Sequence, residues 1–216
     1  MTRPLLITDC DEVLLYMIGH FCEWLEQDKG VLFDFEKPGF TNSMTRIGSG
    51  EKLDEAEMWG LLNAFFDDEM HRQTPVDGAL EAIGAIREHA DVVVLTNLMD
   101  HRQDARAAQL REFGLDLPIF TNQGPKGPAL KAILEEYRPS RAVFVDDLAQ
   151  HHDSVGDSAP AVHRLHLCAE PRLARFIPCA HEAGHAHARI DRWSEALPWV
   201  LARLHGEDEE DTSHNE

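Results

Sequence analysis

Positive charge is scarce in this chain. Lys and Arg number 20 against 39 Asp and Glu, giving a formal net charge of −19. A field of that sign repels nucleic acid and anionic membrane, so neither is expected as a partner. It also means that an anionic substrate needs local cations to hold it. Cysteine is sparse too: Cys10, Cys22, Cys168 and Cys179 form no CxxC pair and no disulfide ladder, and read as reduced thiols. No apolar run reaches the length of a transmembrane helix. The N-terminal MTRPLLITDCDEVLL breaks its apolar stretch with acids, where a secretory signal needs an uninterrupted one. A cytoplasmic protein is the expectation. The tail GEDEEDTSHNE, residues 206–216, has six acids and neither Lys nor Arg, and is expected to be solvated and disordered.

What is present is an ordinary globular composition, 43% hydrophobic over 216 residues, enough for one α/β core and a modest insertion. Leu5 to Thr8 is a short apolar run closed by acids. Leu14, Ile18, Phe21 and Leu25 follow helical spacing, with Gly30 as the stop, and Met58, Leu61, Leu62, Phe65 and Phe66 mark a second helix closed by Thr74-Pro75. Between them, Val31 to Gly50 shows no period. Beyond residue 75 the pattern alternates. DVVVLTN, LPIF and AVFV read as strands, the first and last continuous enough to be covered on both faces. A weaker strand lies near Val162 to Leu167. Helix faces at Leu80/Ile83/Ile86, Ala107/Leu110/Phe113, Leu130/Ile133/Leu134 and Leu197/Val200/Leu201/Leu204 separate or follow them. Alternation of this kind predicts an α/β fold with a doubly wound parallel sheet. The expected division is a core of residues 1–15 and 75–205, with residues 16–74 as a small inserted α-helical cap.

Ligands of open parallel sheets bind at the carboxyl ends of the strands. Asp9-Cys10-Asp11, Thr96-Asn97 and Asp146-Asp147 stand at such ends, and Lys126 starts the helix before the last of these strands. Singly, each is an ordinary turn or cap. Together they suit phosphate-ester chemistry. A carboxylate can attack phosphorus, a second one two residues on can protonate the leaving group and then activate water, and a hard divalent cation offsets the repulsion between anions. A hydroxyl, backbone N–H groups and a lysine can hold the transferred oxygens.

The stretches TDCDEVL (Thr8 to Leu14), VVVLTN, Lys126 in GPKGPAL, and VFVDD (Val143 to Asp147) together resemble the motifs of the haloacid dehalogenase (HAD) superfamily, over roughly Leu5 to Val155. The resemblance implies a HAD-like Rossmannoid core and a Mg2+-dependent phosphatase acting through an aspartyl phosphate. Asp9 would be nucleophile and metal ligand. Asp11 would be general acid/base, lending its main-chain carbonyl to the metal. Thr96 would bind the phosphoryl group with help from the Asn97 backbone N–H, and Lys126 would neutralise nucleophile and phosphate. Asp147 would bind the metal, with Asp146 orienting Lys126 and Lys131 as the fallback lysine. The implied substrate is a small phosphorylated metabolite. Asp11 favours phosphate over halide chemistry, since a departing halide needs no proton. A non-catalytic binding module of the same fold and a phosphoryl-transfer mutase are the alternatives. The pattern departs from the family at His151, where Asp or Asn is usual four residues after the metal-binding Asp. An imidazole suits a hydrated magnesium ion poorly; that His151 and His152 cap the next helix is an equal alternative.

His181-Glu182-Ala183-Gly184-His185 matches HExxH, the spacing that puts two zinc ligands on one helix face. Pro178 just before it, Gly184 within it and the lack of an apolar face argue against a helix, and so against zinc. A histidine-rich surface segment followed by a short strand over Ala188 to Ile190 is expected instead.

Overall fold

The computed structural model describes residues 2–37 and 40–207. Of the acidic tail only Gly206 and Glu207 fall among them. β1 (Leu5–Thr8) leads through a turn to β2 (Leu15–Tyr16), and α1 (Ile18–Trp24) follows, extended by a π-helical turn over Leu25–Lys29. Gly30 closes that turn at φ 64°, a left-handed value that glycine adopts without steric cost. β3 (Val31–Phe33) and β4 (Met44–Arg46) pair antiparallel. α2 (Glu55–Ala64) begins at a capping box between Asp54 and Glu57 and runs into a second π turn, Phe65–Glu69. β5 (Thr74–Pro75) then pairs antiparallel with β2.

The remaining elements alternate: α3 (Ala79–His89), β6 (Asp91–Thr96), α4 (Gln103–Glu112), β7 (Ile119–Thr121), α5 (Gly127–Tyr137), β8 (Ala142–Asp146), α6 (Ala149–Ser158), β9 (His163–His166), α7 (Pro171–Ala174), β10 (Ala188–Arg189) and α8 (Trp193–His205). The six main strands form one parallel sheet in the order β10-β9-β8-β1-β6-β7. Successive strand residues point to opposite faces, which explains the continuous apolar runs. Leu6, Val92, Val94, Val143 and Val145 pack on one face with Ile83, Ile86, Leu110, Trp193 and Val200. Leu5, Ile7, Val93, Leu95 and Phe144 pack on the other with Leu130, Ile133 and Val155. The expected α/β doubly wound sheet is therefore present.

The segment between the β2–β5 crossings has an apolar cluster of its own, built on Ile18, Phe21, Trp24, Leu25, Met58 and Phe65. Two local expectations need correction. Leu14 is not in the first helix: the chain turns at Glu12, φ 61°, and pairs β2 with β5 before α1 starts. The stretch after Gly30 is not wholly irregular, since β3 and β4 form a two-stranded ladder whose Val31 and Met44 feed the segment's own cluster. Two short three-residue strands carry too few alternations to be read as periodic.

Candidate active site

From β1 the chain crosses to β6 and β7 on one side, and β8 later returns to the other side of β1. The strand order thus reverses between β1 and β8, the place where open α/β sheets leave a crevice at their carboxyl ends. In register, Thr8 lies opposite Val145, and the Asp9 N–H donates to Val145 O at 2.8 Å. That register alone brings Asp9 beside Asp146 and Asp147. Carboxylate oxygens of the three lie within 4.8 Å of one another, all buried.

One cation stands among them. Lys126 is the N-cap residue of α5 and wholly buried, and its Nζ is 2.9 Å from Asp9 Oδ1 and 2.6 Å from Asp146 Oδ2. Asp146 Oδ1 also accepts from the Leu148 N–H at 2.9 Å. Burial pushes the Asp146 carboxyl up, but Lys126, His151 and His152 outweigh it and hold the group below its ordinary value. Asp9 goes the other way, raised from 3.8 to about 7 by burial, with Lys126 opposing and Asp146 and Asp11 adding. Asp147 is raised too, by burial and then by the charges of Asp146 and Asp9. Lys126 itself is held above the usual lysine value, its two carboxylate neighbours outweighing the cost of its burial. One ammonium thus pairs with two of the three carboxylates, and the raised pKa values of Asp9 and Asp147 mark a local shortage of positive charge. Hard oxygen donors packed this closely fit a divalent cation such as magnesium.

Thr96 ends β6, and its hydroxyl is buried with no hydrogen-bond partner among the described residues. The Asn97 side chain does not point at the acids. Its Nδ2 donates to Gly124 O at 2.9 Å and its Oδ1 accepts from Asn122 at 2.8 Å, which steadies the loop leading to Lys126. Lys131 lies inside α5 and forms none of these ion pairs. His151 and His152 do not cap α6: Leu148 is the N-cap, and both imidazoles are buried in the first turn. His152 Nε2 donates to Asp146 O at 3.0 Å, tying the helix start back to β8, and burial lowers its pKa to about 4. His151 Nε2 is 3.4 Å from Asn97 Nδ2, and burial lowers this imidazole as well.

Asp11 stands apart from the metal-like group. Its carboxylate accepts from Arg106 Nη2 at 2.9 and 3.2 Å and from Gln73 Nε2 at 2.6 Å. Neither partner was expected from the sequence. Arg106 lies four residues before Leu110 and three before Gln109, all on the buried side of α4, so the helical period could have exposed it as an inward-facing cation. Gln73, in the stretch before Thr74-Pro75, carried no such signal. Glu12 was also missed. Its Oε1 accepts from the Met17 and Ile18 N–H groups at 2.9 and 2.6 Å, capping α1, while its Oε2 is buried with no hydrogen-bond partner among the described residues. Burial raises its pKa to about 7.

The HExxH residues form turns rather than a helix. His185 pairs with Asp153 at 3.0 Å and His181 Nδ1 lies 3.1 Å from Ala186 O, so the two rings do not converge. A surface cavity of about 940 Å³ is lined by Tyr16, Cys168, Arg175, Arg189 and Arg192 among others, and not by Asp9, Asp11, Asp146 or Asp147.

No family model matches the sequence, and no curated protein matches it. Solved structures do. A haloacid dehalogenase-like protein of Agrobacterium tumefaciens is 18% identical with a TM-score of 0.64, over 93% of this chain and 98% of that one. A HAD family hydrolase of Deinococcus radiodurans with bound phosphate and sodium is 16% identical, TM-score 0.64, over 93% and 96%. A HAD hydrolase of Bacillus subtilis bound to magnesium is 14% identical, TM-score 0.61, over 93% and 100%. The architecture and strand-end acids described above, set beside these likenesses, give the chain the haloacid dehalogenase-like fold.

Proposed function

We propose that the protein is a magnesium-dependent phosphomonoester hydrolase acting through an aspartyl phosphate on a small phosphorylated metabolite. The observation that carries this reading is the convergence of Asp9, Asp146 and Asp147 around Lys126 at the β1/β8 crevice. Asp9, Asp147 and the Asp11 main-chain carbonyl would hold the metal, which when bound supplies positive charge for the phosphoryl oxygens.

An Asp9 oxygen attacks phosphorus, the bond to the ester oxygen breaks, and that oxygen takes a proton from Asp11. Asp11, now a carboxylate, takes a proton from water. The water oxygen attacks the same phosphorus, the bond to Asp9 breaks, and inorganic phosphate leaves. Thr96 Oγ and the Asn97 backbone N–H bind the transferred oxygens, and Lys126 offsets charge on Asp9 and the phosphoryl group. Asp146 orients Lys126. The segment 16–74 acts as the cap that covers the crevice and selects the substrate, and the protein works in the cytoplasm.

Turnover of para-nitrophenyl phosphate with and without magnesium tests the reading. Chelator and Asp9→Asn should each abolish it, and Asp147→Ala should remove most of it. Wild-type turnover in Asp9→Asn, or full activity in excess chelator, overturns the proposal.

A further inference from the structure

We propose that Arg106 is a positioning residue for Asp11, orienting its carboxylate so that Oδ2 is the oxygen that exchanges the proton. The inference rests on the hydrolase reading above and adds a residue that the motifs do not contain.

Arg106 sits on α4 with no solvent exposure. Burying a guanidinium is costly unless it is paired, and among the described ion pairs its one carboxylate partner is Asp11. Nη2 donates to both Asp11 oxygens, at 2.9 Å to Oδ1 and 3.2 Å to Oδ2. Nη1 donates to Cys10 Sγ at 3.2 Å, and the guanidinium carbon lies 5.9 Å from the Phe66 ring centroid. The group is therefore contacted at three points, with Nε buried and lacking a hydrogen-bond partner among the described residues.

A carboxylate offers about four acceptor positions, two on each oxygen. Among the described residues, Asp11 Oδ1 accepts from both Arg106 and Gln73, while Oδ2 accepts from Arg106 alone. The position left open is on Oδ2. A general acid must bring one oxygen within hydrogen-bond reach of the leaving group. Arg106 and Gln73, by filling Oδ1, decide which oxygen that is. The purely structural alternative is that Arg106 only joins α4 to Phe66 and neutralises a buried charge. That role predicts lower stability without a selective effect on proton transfer.

The test uses Arg106→Met, Arg106→Lys and Asp11→Asn/Arg106→Met in the full chain. Single-turnover release of the alcohol or phenol is compared for beta-glycerol phosphate, whose leaving group needs a proton, and para-nitrophenyl phosphate, whose leaving group barely does. In Arg106→Met, release from the alkyl ester should slow by about 10²-fold, the scale of a misplaced catalytic group. The aryl ester should slow far less. Arg106→Lys, which keeps the charge but loses the fork, should fall between and serves alone should the Met variant not fold. In the Asp11→Asn background the Met change should add nothing. Equal slowing of both esters, or a further loss on top of Asp11→Asn, overturns the inference. A crystal structure gives a readout independent of turnover: Asp11 rotated in Arg106→Met supports the proposal, and Asp11 unmoved overturns it. Inactivity of the wild type toward both esters would sink the hydrolase reading, while the Asp11 rotamer would still judge Arg106.

Discussion

At the residue scale, the three buried carboxylates around Lys126 set an electrostatic cost that depends on pH. Asp9 is raised from 3.8 to about 7, and Asp147 is raised also. An acid whose pKa is higher in the folded chain binds its proton more tightly there. Its contribution to stability is full below the unfolded value and is lost as pH rises through the folded one. Asp146, lowered rather than raised, titrates below this window. In chelator, the melting temperature of the wild type should therefore fall relative to that of Asp9→Asn between about pH 4 and about pH 7. Magnesium should close that gap at the upper pH, because a cation bound only to the folded chain stabilises it. Parallel melting curves for the two proteins, with no widening of the gap, would show that Asp9 does not carry this charge.

At the element scale, the start of α5 matters because it delivers Lys126. The Gly127 N–H donates to Ser154 Oγ on α6 at 3.0 Å. A Cβ at residue 127 would stand 2.2 Å from Ser154 O and 2.4 Å from Ser158 Oγ. The first of these is backbone and cannot rotate away, so glycine is required by close approach rather than by its dihedral angles. Gly127→Ala should destabilise the fold by about 1–3 kcal/mol, the usual penalty of overpacking. It should also slow turnover by pushing Lys126 off Asp9 and Asp146. Urea denaturation alongside steady-state kinetics checks both, and an unchanged denaturation midpoint would contradict the close packing of α5 on α6.

At the scale of the whole molecule, the inserted segment is tied to the core beside Asp11. Arg102, buried in the turn before α4, donates to Asp67 Oδ1 at 2.6 Å and to Asn63 Oδ1 and O at 3.0 and 3.2 Å. Gln109 Nε2 adds a bond to Met70 O at 2.5 Å. On another side, the Arg172 guanidinium lies 5.2 Å from the Phe35 ring, and Leu173 packs against the segment's apolar cluster. Arg102→Ala removes three bonds from one interface; Asp67 is half-exposed and takes up water in their place, so the loss should be about 1 kcal/mol. Amide exchange over residues 63–72 should accelerate, and KM for a phosphate ester should rise with the β-sheet amides unaffected. Unchanged exchange there would mean that Arg102 does not hold the segment.

The sheet, its α/β alternation and the acids at its strand ends were legible from the chain alone. Strands buried on both faces need continuous runs such as DVVVL and AVFV, and a period of two or 3.6 is a local property that survives in one dimension. The grouping of Asp9, Lys126, Asp146 and Asp147 was legible for a related reason: parallel strands place all their carboxyl ends on one edge, so order along the chain implies nearness in space. The partners of Asp11 were decided only by tertiary structure. Gln73 and Arg106 lie 62 and 95 residues away from it in the chain, and their meeting depends on how β2–β5, α4 and Phe66 pack. The same holds for the strained turn at Glu12, where a side chain capping α1 from six residues upstream offsets an unfavourable backbone angle. Periodicity records which face of an element is buried; it does not record which buried polar group will meet which, because that pairing is a property of the assembled volume.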